Sequence, residues 1–295
     1  MPELPEVEVL IRHLAPLLKD KIIREVTVRR AKILQPTRER DFKQALTGAK
    51  FGEIRRRGKY LLFTLRAPRK REPILLVGHL GMSGRMYLQP SAGPIAKHAA
   101  VIFALGKLSF IYEDTRYFGR LTLDPSALDR LGPEPLAAEF NEEYFSRALR
   151  QSAQPIKVKL LDQSLVAGIG NIYASEALFL AGISPRIAAR NLRPNQVHRL
   201  WQAIPAVLEE AIRFGGTVPL DWAGVGTRNG LFYYGDAEQA PASYEERLRV
   251  YDRAGKACVQ CSREIKRIVQ SARSTFYCPC CQRAKPSPVN SRRSP

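Results

Sequence analysis

The chain opens Met1-Pro2-Glu3-Leu4-Pro5-Glu6. Removal of the initiator Met, usual before a small residue, would leave Pro2 as the N-terminus with a free secondary amine. Such an amine can attack an electrophilic carbon and form an iminium, which is covalent catalysis by a nitrogen nucleophile. Glu3 and Glu6 stand beside it in the sequence as candidate proton donors or acceptors. The same six residues also suit a stiff helix start, because Pro is tolerated in a first turn. Taken alone they favour that structural role, and the rest of the chain has to decide.

All five cysteines fall between residues 258 and 281. Cys258-x2-Cys261 and Cys278-x2-Cys281, separated by residues 262–277, can place four thiolates tetrahedrally around one Zn²⁺ on a β-hairpin. A local cluster of this kind points to metal rather than to a disulfide framework. Such a site has no open coordination position, so the zinc builds an element and performs no hydrolysis. Cys280 breaks the spacing and is read as a spectator. Lys and Arg far outnumber the single acid, Glu264, between residue 256 and the end. Arg273, in Arg-Ser-Thr-Phe-Tyr before the second knuckle, would be carried outward at a hairpin tip, where a phosphate contact fits.

Three further stretches carry chemistry only in context. Gly168-Ile169-Gly170-Asn171-Ile172 lies between two helical patterns and follows Lys157 and Lys159. Asn171 suits an N-cap, and the free N–H groups of a helix start favour a phosphate; most such junctions nevertheless bind nothing. Arg55-Arg56-Arg57-Gly58-Lys59-Tyr60 puts four cations at a strand start, where Lys59 could grip a phosphate and its neighbours could be merely solvated. His79-Leu80-Gly81-Met82-Ser83-Gly84 and Asp114-Thr115-Arg116-Tyr117-Phe118-Gly119 read as turns bearing large side chains. Met82 and Phe118 suit either a core or an apolar wedge that fills the gap left by an extruded base.

The elements that must position these residues follow from periodicity. Leu4, Val7, Leu10, Ile11, Leu14 and Leu18 predict an amphipathic helix directly after Pro2, which would fix the amine in place. Short β-rich runs follow at 21–29, 50–66, 73–80, 84–89, 100–105, 108–113 and 120–124, as in an antiparallel sandwich or barrel. Helical patterns predict a short helix near 141–150, then 156–164, 172–181 and 194–214. Pro205 interrupts the last of these. Residues 217–247 read as a long loop and the tail from 284 as disordered.

The chain has 295 residues, 45% hydrophobic, and a formal net charge of +19. A surplus of that size calls for a polyanionic partner, nucleic acid before an anionic membrane. No apolar run approaches the roughly 18 residues that span a bilayer, and the acidic, proline-rich start does not have the form of a signal peptide. A cytoplasmic protein facing DNA or RNA is the expectation.

Together these residues resemble the bacterial formamidopyrimidine-DNA glycosylase family, which excises oxidised purines such as 8-oxoguanine. The resemblance rests on Met-Pro-Glu-Leu-Pro-Glu-Val-Glu at 1–8, Arg-Gly-Lys-Tyr-Leu at 57–61 and His-Leu-Gly-Met-Ser-Gly at 79–84. It continues through Leu-Leu-Asp-Gln at 160–163, Ala-Gly-Ile-Gly-Asn-Ile-Tyr-Ala at 167–174, Gly-Gly-Thr at 215–217 and the four-cysteine finger. It implies an α+β chain: an N-terminal antiparallel β-sandwich flanked by helices (1–130), a linker with a short helix (131–155) and a helix–two-turn–helix domain with a long lesion loop (156–250). A zinc finger (251–283) and a disordered tail (284–295) complete it.

The resemblance also assigns roles. Pro2 would be the nucleophile, Glu3 the acid that assists sugar opening, and Glu6 a supporting residue. Lys59 would bind phosphate near the lesion and assist catalysis. Met82, Arg116 and Phe118 would be inserted into the duplex, while Lys157, Asn171 and Arg273 hold its backbone. Cys258, Cys261, Cys278 and Cys281 would ligate one structural zinc. The activity implied is that of a bifunctional glycosylase and AP lyase of base excision repair, acting as a monomer at the nucleoid on duplex DNA with oxidised bases or abasic sites, with no membrane partner.

The sequence departs from the family pattern at Ala99 and Ala100, at Tyr117 where a second cation is expected, and at Val218-Pro219-Leu220. These departures leave the lesion range and opposite-base preference open and do not touch the amine. Two rivals remain. A related endonuclease VIII-type enzyme for oxidised pyrimidines more often has Gly where Leu4 stands, and a non-catalytic zinc DNA-binding protein would be expected to have lost Pro2, Glu3 or Lys59.

Overall fold

The computed structural model describes residues 2–68, 71–215 and 247–283. The loop expected at 217–247, apart from Arg247, and the tail from 284 lie outside the described residues. Residues 1–134 and 208–247 form one compact unit, and 135–207 with 248–295 form a second.

The first unit begins with α1 (Leu4–Leu18), whose Leu4, Val7, Leu10, Ile11, Leu14 and Leu18 are all buried. The face inferred from the 3.6-residue period is thus the face that packs, and it brings α1 against the sheet. Eight strands follow: β1 (Glu25–Val28), β2 (Lys50–Arg57), β3 (Tyr60–Arg66), β4 (Ile74–His79), β5 (Gly84–Pro90), β6 (Ala99–Ala104), β7 (Leu108–Asp114) and β8 (Arg120–Thr122). They pair in two four-stranded antiparallel sheets, in the orders β1-β6-β7-β5 and β2-β3-β4-β8. The inner faces share one core. Phe51 and Phe63 of the second sheet meet Phe110 of the first at ring-centroid distances of 6.0 and 5.8 Å. Edge-on and tilted pairs at this spacing suit aromatic packing.

The predicted run 50–66 is two strands. Arg57 pairs with Tyr60, so Gly58-Lys59 is a two-residue hairpin turn, with Gly58 at φ 55°. One helix, α2 (Glu39–Leu46), was not expected. Only Phe42 and Leu46 of its eight residues are buried, too few apolar positions for a periodic signal.

The second unit holds α3 (Glu142–Arg150), α4 (Ile156–Leu160) and α5 (Asn171–Leu180), and α6 (Pro194–Arg213) begins in it. Asn141 caps α3 by accepting from Tyr144 N at 2.9 Å. Helix α5 is buried from Ile172 to Phe179, the pattern of a helix enclosed on all sides. Its cap differs from the expectation: Gly170 is the N-cap and Asn171 the first helical residue, which releases the Asn171 side chain for other partners. Helix α4 stops at Leu160, short of the predicted 164. Beyond it Gln163 fixes the turn, accepting from Gly168 N at 2.9 Å and donating to Ile169 O at 2.8 Å. The unit ends in a hairpin of β9 (Lys266–Gln270) and β10 (Arg273–Tyr277). Among the described residues, no helix is long and apolar enough to cross a membrane.

Candidate DNA-repair active site and nucleic-acid contacts

Pro2 and Glu3 sit buried at the start of α1. Glu3 N–H donates to Glu6 Oε2 at 2.8 Å, and the Glu3 carboxylate accepts from the Glu6 N–H in return. This reciprocal cap satisfies two N–H groups that a helix start would otherwise orphan, and it places negative charge at the positive end of the helix. Both carboxylates are almost fully buried, at 1% and 4% exposure.

Helix α1 also carries the residue that ties it to Lys59. Glu8 accepts from Arg56 Nε at 2.9 Å, and Arg56 Nη1 reaches Glu134 Oε2 at 2.5 Å. Glu134 binds Arg57 Nη1 at 3.1 Å and the Gly58 N–H at 2.5 Å. Arg57 Nη2 also donates to the carbonyls of Leu131 and Gly132. The turn that presents the buried Lys59 is therefore clamped by two carboxylates, one from α1 and one from the segment after β8. Burial raises the Glu8 carboxyl, but hydrogen bonds and charge from Arg12 and Arg56 outweigh it and hold it below the usual range. Arg56 and Arg57 are thus paired rather than merely solvated, while Arg55 stays exposed and meets Glu53 at 3.0 Å on the surface. Glu8 closes the 1–8 motif but carried no role there, and Glu134 did not stand out in the sequence, since a lone Glu many residues away gives no local signal.

His79, at the end of β4, packs its ring on Tyr60 with centroids 4.7 Å apart. Burial, with Lys59 and Arg120 nearby, pushes its pKa down to about 4. The imidazole is neutral at pH 7. Its Nδ1 accepts from Gly81 N at 3.0 Å, which leaves the proton on Nε2.

Met82, Arg116 and Phe118 stand on two turns that Asp114 joins. Its fully buried carboxylate accepts from Ser83 Oγ at 2.7 Å, Arg116 N at 3.1 Å and Gly119 N at 2.8 Å. The turns touch backbone to backbone: a Cβ on Gly81 would lie 2.7 Å from Gly119 N and Phe118 C, and Gly81 has φ +61°. Met82 is 46% and Phe118 56% exposed, so both apolar side chains point out of the core. The Arg116 guanidinium stacks on the Phe118 ring at 4.9 Å. Two exposed apolar groups and a cation on one rigid mount suit insertion into a base stack.

In the second unit, Lys157 is fully buried. Its ammonium donates to Asn171 Oδ1, to Thr275 Oγ1 at 3.0 Å and to Ser274 O at 3.3 Å. Asn171 Nδ2 also donates to Ser274 O, at 3.0 Å. The start of α5 and strand β10 are thereby locked together around one cation. Arg273, at the tip of the hairpin, is exposed. Ser271 and Ala272 both have positive φ, 46° and 58°, as a tight two-residue hairpin turn requires.

The Sγ atoms of Cys258, Cys261, Cys278 and Cys281 all lie within 4.8 Å of one another. Cys261–Cys278 is 3.5 Å and Cys258–Cys281 is 3.9 Å; zinc–sulfur bonds of about 2.3 Å in a tetrahedron give sulfurs about 3.8 Å apart. Backbone N–H groups of Gln260 and Cys281 point at two of the thiolates, the outer support such a centre uses. The residues fit one structural zinc ion, and the four cysteines hold it. Cys280 stays outside the group and accepts from Arg283 at 3.5 Å. Phe179, Val250, Ile265 and Phe276 pack around the cluster. Glu176 of α5 anchors the approach to it, accepting from the N–H groups of Arg249, Val250 and Tyr251, each at 2.9 Å.

A buried proline at position 2, a cationic hairpin turn, two exposed apolar residues beside an arginine and a four-cysteine hairpin fit a nucleic-acid-processing protein of the zinc-finger DNA glycosylase class. Sequence profiles agree: the formamidopyrimidine-DNA glycosylase N-terminal domain matches residues 1–121, the H2TH domain of the same enzymes matches 131–220, and the zinc finger found in FPG and IleRS matches 255–284. The chain belongs to the formamidopyrimidine-DNA glycosylase family. It is 40% identical to the formamidopyrimidine-DNA glycosylase of Desulfitobacterium hafniense over 96% of this chain and 100% of that one. It is 39% identical to that of Thermus thermophilus, over 96% and 98%. Among solved structures, a Lactococcus lactis FPG complex with Fapy-dG-containing DNA matches with a TM-score of 0.84 at 32% identity, covering 96% of this chain and 100% of that one. A complex of the same Lactococcus lactis protein with abasic-site DNA matches with a TM-score of 0.82 at 32% identity, with the same coverage.

Proposed function

We propose that this chain is a bifunctional DNA glycosylase and AP lyase that removes oxidised purines, 8-oxoguanine and formamidopyrimidines, from duplex DNA in base excision repair. The observation that carries the chemistry is the reciprocal Glu3–Glu6 cap. It fixes the start of α1, and with it Pro2, in a buried and charge-compensated setting.

After Met1 is removed, the Pro2 nitrogen attacks C1′ of the damaged nucleotide and the base leaves with the glycosidic electron pair. The proton shed by the Pro2 nitrogen passes to the Glu3 carboxylate, which delivers it to the ring oxygen as the sugar opens; the departing base takes a proton from water, and the nitrogen becomes an iminium. That cation acidifies the C2′ proton. Loss of this proton expels the 3′ phosphate, and a second elimination expels the 5′ phosphate. Water then hydrolyses the iminium and restores the amine. Glu6 holds Glu3, and Lys59 binds phosphate near the lesion and assists the proton transfers. The zinc supplies structure alone.

DNA contacts divide by role. Met82, Arg116 and Phe118 fill the space left by the flipped nucleotide. Asn171 and Arg273 bind phosphate, with the buried Lys157 supplying positive charge behind them. We assign 1–130 to a catalytic sandwich domain, 131–155 to a linker, 156–250 to a helix–two-turn–helix domain, 251–283 to the zinc finger and 284–295 to a tail. The enzyme acts as a monomer in the cytoplasm, at the nucleoid.

The test is incision of duplexes carrying 8-oxoguanine opposite cytosine beside duplexes carrying an oxidised pyrimidine. Preference for the purine lesion supports the assignment. Preference for the pyrimidine would move it to the endonuclease VIII type, and a Lactococcus lactis FPG complex with oxidised-pyrimidine DNA makes that comparison necessary.

A further inference from the structure

Tyr117 sits between the two wedge residues Arg116 and Phe118 with φ 54°. A bulky side chain in this left-handed region is strained, and such residues persist where their surroundings over-determine them. Three contacts do so here. The Tyr117 hydroxyl lies 3.3 Å from His98 Nδ1, the ring packs against the edge of the sandwich core, and the Arg30 guanidinium lies over the ring at 5.2 Å. The turn thereby sends residues 116 and 118 outward, where they are exposed, while 117 stays half-buried between them.

Arg30 is exposed and, among the described residues, has no carboxylate partner. Its backbone N–H is fixed on Ala100 O at 3.2 Å. The surroundings are cationic. Arg29 donates to Ala96 O at 3.1 Å and the neighbouring Lys97 is exposed. The nearby acids are already engaged, Glu113 with Arg85 and Tyr87 and Asp114 inside the wedge mount. A guanidinium held over an aromatic ring rather than by a carboxylate keeps N–H donors available, and these suit a phosphate. A cation held among other cations beside a wedge has an anionic ligand as its natural partner.

We propose that Arg30, seated on Tyr117, is a contact to the DNA phosphate backbone beside the wedge, and that Tyr117 is the positioning residue that couples this contact to Arg116 and Phe118. The inference rests on the duplex-DNA reading above. Its test is the salt dependence of binding to a duplex with a stable abasic-site analogue and to the undamaged duplex, with melting temperatures as a fold control. Arg30→Ala reduces the slope of log K against log salt by about 0.9, one phosphate, and Arg30→Lys restores it. Tyr117→Ala gives the same reduction, adding Arg30→Ala to it changes nothing further, and Tyr117→Phe keeps the wild-type slope. An unchanged slope in Arg30→Ala overturns the phosphate contact, and additive losses in the double variant overturn the coupling. Should Tyr117→Ala fail to fold, the Arg30→Ala and Arg30→Lys pair decides the contact and Tyr117→Leu, which removes the aromatic platform but keeps an apolar side chain against the core, replaces it in the cycle. A wild type that does not favour the abasic analogue would count against the repair reading, while the slopes on undamaged duplex still judge Arg30.

Discussion

Glu3 and Glu6 each cap the other's backbone: the Glu3 N–H donates to Glu6 Oε2 at 2.8 Å, and the Glu6 N–H donates to the Glu3 carboxylate. The helix start that carries Pro2 is therefore held by two acids of which only one need react. The pair can be separated by substitution. Glu6→Gln keeps a side-chain acceptor and should melt as wild type does, whereas Glu6→Ala should lose about 1 kcal/mol. Glu3→Gln should fold normally yet lose about 10²-fold or more in base release. Urea unfolding alongside single-turnover kinetics reads both quantities.

Glu134 should matter far more than its place after the last strand suggests. It serves Arg56, Arg57 and the Gly58 N–H together, and its removal leaves Arg57 Nη1 and the Gly58 N–H unmatched under the Lys59 turn, while Arg56 keeps Glu8 and the Gly58 carbonyl. Glu134→Ala is expected to destabilise by about 2–4 kcal/mol, and Glu134→Gln to recover part of that. In the surviving folded fraction the rate of chemistry should fall more than lesion binding, which single-turnover kinetics separates from Kd.

His79 gives a pH dependence of defined sign. Its folded pKa is about 4, below the unfolded value of about 6.5, so the unfolded chain binds the extra proton between these values. The stability from this group is complete above pH 6.5 and is lost as pH falls toward 4. Allowing for partial exposure, the loss is on the order of 2 kcal/mol. Urea unfolding at pH 4.5, 5.5 and 7 should show it, and His79→Gln, which cannot titrate, should flatten that part of the profile.

Zinc removal should unmake the hairpin that bears Arg273, because Phe276 and Ile265 pack on the thiolate cluster. Chelation under mild denaturant, or Cys278→Ser, should weaken duplex binding at least tenfold, since metal affinity in such sites is folding energy. Cys280→Ser should retain one zinc per chain by elemental analysis. Undiminished binding by a zinc-free chain would contradict the structural role.

The sequence carried what depends on local spacing. Helix α1 followed from its apolar period, the zinc site from two CxxC knuckles, and the strands from short apolar runs between Gly, Pro and charges. What it hid were single polar residues whose partners lie far along the chain. Glu134 meets Arg56, and Glu176 meets Val250; neither acid sits in a pattern that marks it. Helix α2 was hidden because only Phe42 and Leu46 mark its buried face. The exposed state of Met82 and Phe118 was equally illegible, since an apolar residue in a turn suits a core as well as a wedge. Asn171 reads as an N-cap by type, but the start of α5 falls to Gly170, and the amide is engaged by Lys157 and Ser274.

The measurement closest to the central claim is borohydride trapping on a duplex carrying 8-oxoguanine opposite cytosine, with intact-mass analysis to verify loss of Met1. The wild-type chain should form a stable covalent adduct through Pro2, mapped to the N-terminal peptide, and Pro2→Gly, which exchanges the secondary amine for a primary one, should trap far less while still binding the duplex. A wild type that fails to trap on this duplex and on an abasic-site duplex would contradict the proline mechanism.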